Sequence, residues 1–203
     1  MSNTLLFHLR SRTMHPCYET KQAHAEAMQT TLCPGCAHPR PDVTAIDVRL
    51  QERAPRDKPL NLMFGSAVGL VHRALLELIG QEIVRRDLYL GRVFGNGGNE
   101  VSDWVTFRGR FGLVVRGTRD AGFRTCSICG RNLYHATGKR YLFPSPPEDA
   151  TIFESDLSGL IVPVEVYERV TTRKWARIGV DKLPVLEHPV DGLGEIPFTT
   201  ASR

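Results

Sequence analysis

"WVTFRGRFGLVVRGTRDAGFRTCSICGRNLYH", residues 104–135, decides how this chain is read, because an alternating run passes directly into a cysteine pair. Val105, Phe107, Phe111, Leu113 and Val115 fall in one phase, and Thr106, Arg108, Arg110 and Arg116 in the other. A pleated strand over 104–116 would then turn an apolar face inward and a cationic face to solvent. "GTRDAG" punctuates the strand as a turn, and "FRTCSICG" delivers Cys126 and Cys129 on the partner strand of a hairpin.

A C-x-x-C pair gains meaning from a second one. "CPGC", with Cys33 and Cys36, lies upstream, with 89 residues between Cys36 and Cys126. Together the pairs supply four thiolates to the corners of a tetrahedron, the pattern of a closed structural zinc site. The short, turn-forming residues between the thiols let backbone N–H groups point at the sulfurs. Redox chemistry would need one pair opening a helix after a strand, which lowers a thiol pKa, and neither pair precedes a convincing helical pattern. The expected ligands are Cys33, Cys36, Cys126 and Cys129. Zinc is the expected ion, although iron in a rubredoxin-like site would use the same four sulfurs. The fifth cysteine, Cys17, reads as a free thiol, and His38 and His135 as bystanders once four thiolates close the site.

The 203 residues, 41% of them apolar, can build a core without disulfide staples. Five clustered cysteines are too few for a secreted disulfide scaffold. No run of eighteen apolar residues exists, and "MSNTLLFHLRSRT" holds only a Leu-Leu-Phe triplet, so the expected compartment is the cytoplasm. The net charge of +4 is segregated. Residues 106–140 carry eight Arg/Lys against Asp120 alone, whereas 141–203 carry ten acids against six bases. Such asymmetry speaks to partners, not to fold.

Outward from the central strand, "GLVHRALLELIGQEIVRR" places Val68, Val71, Leu75, Leu78, Ile79 and Ile83 at mostly three- and four-residue steps, which predicts a helix over 67–86 capped by Ser66. "LYLGRVF" reads as a strand and "GNGGN", 95–99, as a turn; "FPSPPED", 143–149, breaks the chain. "GLIVP" reads as a buried strand, "VEVYERVTTRKWARI" as an amphipathic helix over 163–175, and "LPVLEHP" as a last short strand before an unstructured tail. The two stretches beginning "GLVHRALL" and "GLIVPVEVY" echo each other faintly. The expected fold is a single α+β domain of short, mostly antiparallel strands with two main helices and a zinc-ribbon-like four-cysteine site. Residues 1–30 form an N-terminal extension, 31–190 the body and 191–203 the tail.

Catalytic motifs are missing: no H-E-x-x-H, G-x-S-x-G or phosphate-binding G-x-x-x-x-G-K-S/T occurs. His24 and Glu26 in "HAE" before "CPGC" imitate a zinc deaminase, but six residues between Glu26 and Cys33 leave no room for the intervening elements. The chain is therefore expected not to be an enzyme.

The order and spacing of "CPGC" and "CSICG", with the closing "DLSGLIVPVEVYERVTTRKWARIGVDKLPV", resemble the double-CxxCG-motif proteins, a myxobacterial group regarded as immunity proteins of polymorphic, swarming-inhibition-type toxin systems. The resemblance covers roughly residues 30–186. It implies a cytoplasmic binder of a cognate toxin domain, with the four cysteines on structural zinc and no membrane partner. The chain departs from that pattern at Ala37, where the motif has glycine, and in being net basic. The alternative is a zinc-ribbon nucleic-acid-binding protein using the basic strand face and the interleaved Phe107, Phe111, Phe123, Tyr134 and Tyr141.

Overall fold

The computed structural model describes residues 5–11, 14–15, 25–26, 29–50, 59–63, 68–119, 122–175 and 178–198. With strands numbered along the chain, a five-stranded sheet has the order β15 (Ile178–Pro184), β1 (Leu5–Ser11), β14 (Gly159–Pro163), β13 (Phe153–Ser155) and β8 (Gly112–Leu113). A six-stranded sheet has the order β2 (Met14–His15), β4 (Leu60–Met63), β5 (Gly69–His72), β7 (Glu100–Gly109), β6 (Leu88–Phe94) and β3 (Val48–Arg49). Two further two-stranded ladders pair β9 (Val115–Arg119) with β12 (Thr137–Leu142), and β10 (Phe123–Thr125) with β11 (Asn132–Tyr134). The longer pairings are antiparallel, and every parallel pairing involves a two-residue strand at a sheet margin. The expected α+β class, mostly strands, is observed with mixed sheets.

One core cluster joins the layers. It takes Phe7, Leu9, Leu160 and Val162 from the five-stranded sheet, Leu60, Val71, Val105 and Phe107 from the six-stranded sheet, and the buried faces of the helices. Each sheet is also covered on its other face. Leu32, Ile46, Val48, Leu50 and Val93 pack with Leu70 and Trp104 behind the larger sheet, and Leu6, Phe153, Ile161 and Leu183 pack with Val115 and Leu142 behind the smaller.

This double coverage corrects the reading of residues 104–116. The second phase of β7 faces the segment before β3, not water: Thr106 Oγ1 donates to the Ile46 carbonyl at 2.5 Å, and an Arg108 terminal nitrogen donates to the Arg40 carbonyl at 2.9 Å and to that of Val43. Arg108 is 2% exposed and Arg116 0%. The cationic outer face therefore does not exist, and the strand itself ends at Gly109.

The helix expected over 67–86 is also different. Gly69–His72 is a strand between β4 and β7. Helix α1 (Arg73–Ile79) starts only after His72, whose ring nitrogen accepts from Ala74 N–H as an N-cap. At Gly80, φ is 109°, a region that favours glycine, and the chain re-enters a second helix, α2 (Gln81–Asp87). Ser66 lies outside the described residues. The second expected helix appears as α3 (Val164–Thr171), burying Val166 and Val170. Arg169 reaches back to donate to the Leu78 and Ile79 carbonyls at 3.1 and 2.8 Å, satisfying the open end of α1.

Three margins move as well. Leu5–Ser11, inside the stretch read as an extension, is an interior strand flanked by β14 and β15. The last strand begins at Ile178, ahead of "LPVLEHP". In the tail, Asp191 and Ile196 are buried. Among the described residues no helix is long and apolar enough to cross a membrane.

Candidate metal centre

Both cysteine pairs fold into the same local turn. At the first, Cys33 N–H donates to the His38 carbonyl at 2.8 Å, while the Cys33 carbonyl accepts from Cys36 N–H at 3.3 Å and Ala37 N–H at 2.8 Å. At the second, Cys126 N–H donates to the Arg131 carbonyl at 2.8 Å, and the Cys126 carbonyl accepts from Gly130 N–H at 2.9 Å. The residue after each second cysteine takes a left-handed conformation, φ 57° at Ala37 and 72° at Gly130. Each turn leaves its two sulfurs on one side with amide hydrogens around them.

Different elements present the two turns. The first is pinned by the bridge between Leu32 and Pro39, with Leu32 fully buried behind the six-stranded sheet. The second is the tip of the β10–β11 hairpin, latched by Thr125 Oγ1 on Asn132 Oδ1 at 2.8 Å. Arg131 adds a cross-link, donating to the Pro39 carbonyl at 3.3 Å.

The turns meet sulfur to sulfur. Cys33 Sγ lies 3.7 Å from Cys126 Sγ, Cys36 Sγ lies 3.7 Å from Cys129 Sγ, and all four fall within 4.8 Å of one another. A disulfide would hold two sulfurs at about 2.05 Å, so these are free thiols. Four sulfurs at about 2.3 Å from a tetrahedral ion stand about 3.8 Å apart. The four cysteines can therefore hold one metal ion, and the donor set fits: four soft ligands, two buried and two half-buried.

The electrostatics of the thiols point the same way. Backbone N–H groups of Cys129 and Ile128 draw the Cys126 thiol down to about 6. Burial pushes Cys36 up to about 12 and raises Cys129. The cluster thus sheds a first proton readily and resists gathering further negative charge, which a cation at its centre would reverse.

His38 is not among the clustered ligand atoms. Its Nδ1 is 2.9 Å from the Cys36 carbonyl, an acceptor, so Nδ1 carries the proton there, and burial lowers its pKa. His135 is exposed. Cys17 and His24 lie outside the described residues.

The sequence reading missed a buried ionic network beside the centre. Arg116 Nε donates to Asp191 Oδ2 at 2.6 Å, and its terminal nitrogens donate to the Gly194 and Leu193 carbonyls at 2.6 and 2.8 Å. Tyr134 Oη donates to Asp191 Oδ2 at 3.0 Å and accepts from Gly117 N–H. Burial alone would raise the Asp191 carboxyl, but Arg116 outweighs it and holds the pKa below the usual range. This network fastens the tail to the arm that carries the second turn. Its only sequence signal is a lone Asp in an otherwise bland tail, "VDGLGE".

Among known proteins, no family model and no curated protein matches the chain.

The strained alanine supplies a prediction. A non-glycine residue in the left-handed region costs roughly 1 kcal/mol. Ala37→Gly is expected to raise stability by about 0.5–1 kcal/mol with metal content unchanged, read from the urea midpoint, since glycine adopts that φ freely.

Proposed function

We propose that this chain is a non-enzymatic immunity protein, a binder that masks a cognate toxin domain and uses structural zinc to hold its binding surface in shape. The observation that carries the reading is the closed ligand set: four thiolates fill a tetrahedral ion's coordination, leaving no position for water or substrate. Zinc is proposed over iron as the ordinary ion of a closed four-thiolate structural site. The ion would clamp the segment around Cys33 to a hairpin ninety-odd residues away, a sequence separation of 93. Such a clamp is the physical role that the resemblance in "CPGC", "CSICG" and the β14–α3 unit implies. The cytoplasm is the proposed compartment, since thiolates persist there.

The strand face that motivated the nucleic-acid reading is turned inward at β7. Arg108 and Arg116 are spent on internal carbonyls and Asp191, and Phe107 is 3% exposed in the core. Stacking platforms need exposed rings beside free cations.

Co-expression with the toxin encoded by the neighbouring gene tests the proposal. Cells carrying this chain are expected to survive the toxin. Unprotected cells, with the chain present and folded, would overturn the immunity role.

A further inference from the structure

The arm carrying the second cysteine turn has a surface that the metal does not explain. The chain leaves through β9 and β10, turns at Cys126–Cys129, and returns through β11 and β12. Two large apolar side chains stay open on it, Phe123 at 44% and Ile128 at 61% exposure. Arg119, Arg124 and Lys139 are exposed on the same arm, and no hydrogen bond or ion pair engages these side chains among the described residues. Elsewhere in the fold some surface arginines are engaged: Arg92 pairs with Asp47 at 2.6 Å, and Arg169 caps α1. From 118 to 140 the described residues include no acid.

We propose that this arm is the docking surface for an acidic protein partner, with Ile128 and Phe123 as apolar anchors and Arg119, Arg124 and Lys139 pairing with its carboxylates. The inference rests on the immunity reading, and names the partner chemistry that a basic immunity protein requires. An apolar anchor within a charged rim is how protein interfaces concentrate affinity. The metal-held turn presents Ile128 on a rigid tip, so little ordering entropy is lost on binding. A nucleic acid fits less well. Among the described Phe and Tyr rings of the arm only Phe123 is exposed, Tyr134 and Tyr141 being buried, whereas single-strand binders stack successive bases on several rings. Three cations also release few counterions, which leaves binding weak at physiological salt.

Calorimetric titration of the purified toxin domain into the metal-loaded chain tests the assignment. Ile128→Asp is expected to weaken binding by about thirtyfold or more. The triple variant Arg119→Glu, Arg124→Glu, Lys139→Glu should lose comparable affinity, mostly through slower association, and flatten its salt dependence. Lys182→Glu, on the edge strand β15, should bind like wild type. Unchanged metal content in each variant confirms that the fold is intact. If wild type binds and the arm variants bind equally well, the docking assignment is overturned and the immunity reading stands. If wild type binds no toxin domain, both fall. An arm-dependent gel shift of DNA or RNA without toxin binding would likewise overturn it, in favour of a nucleic-acid partner.

Discussion

Cys33→Ser is expected to abolish cooperative folding of the region around residues 29–50, and chelation of the wild-type chain to do the same. Binding free energy in small structural zinc modules is about 10–16 kcal/mol at neutral pH, comparable with the whole ~5–15 kcal/mol by which a domain is stable. Losing one of four thiolates forfeits a large part of it. The damage should spread beyond the turn, because the clamped segment also covers β7. The carbonyls of Arg40, Val43 and Ile46 satisfy buried Arg108 and Thr106, and Val48 and Leu50 fill the apolar layer behind the larger sheet. Release would take both carbonyl acceptors from buried Arg108 and leave its guanidinium facing Glu154 at 3.9 Å alone, and a buried charge stripped of its hydrogen bonds is a costly defect. Urea unfolding followed by circular dichroism, with and without chelator, reads the effect. The wild-type curve should collapse towards that of Cys33→Ser once the metal is stripped. A Cys33→Ser chain that stayed folded and protective after chelation would deny the metal its structural role.

The second large effect is expected at the Arg116–Asp191 pair, whose side chains are both 0% exposed. Asp191→Ala leaves a guanidinium in the interior with no counter-charge, only the Gly194 and Leu193 carbonyls as acceptors among the described residues and the rings of Tyr134, Tyr141 and Phe143 around it. It also removes the acceptor of Tyr134 Oη and of Leu193 N–H. Breaking one side of a buried pair costs about 3–5 kcal/mol, whereas replacing both partners with apolar residues is often close to neutral. Arg116→Met combined with Asp191→Leu should therefore recover much of the stability lost in Asp191→Ala alone, measured from the denaturation midpoints. A double variant no better than the single one would mean that the carbonyls and tyrosines around the pair, not the charge, dominate the loss.

The four cysteines were legible in the sequence because ligand chemistry fixes residue type and local spacing, and the structure brings all four together. Turn-forming residues between the thiols gave the local shape as well. What failed was the inference from alternation to solvent exposure. A period of two says that β7 has two faces, not what lies against each. The cover came from residues 40–50, far off in sequence, whose carbonyls made arginine acceptable inside. The helix expected over 67–86 failed for a related reason. Val68 and Val71 fit a three- and four-residue step by coincidence, and strand partners in β4 and β7 decided the matter. The faint echo between "GLVHRALL" and "GLIVPVEVY" held the answer. In both copies the stretch opened by Gly-Leu is a strand and the helix starts after it, at Arg73 and at Val164. Reading the first copy in the frame of the second would have placed Gly69–His72 correctly. The Arg116–Asp191 pair could not have been read at all, since 75 residues separate its members and neither carries a local signature.

The central claim is a closed, four-sulfur metal clamp between two distant turns, and X-ray absorption at the metal edge of the purified chain tests it most directly. The account predicts one zinc per chain with four sulfur neighbours at about 2.3 Å. A nitrogen or oxygen in place of a sulfur, or a folded chain that purifies without a metal and with all four thiols freely reactive, would contradict it.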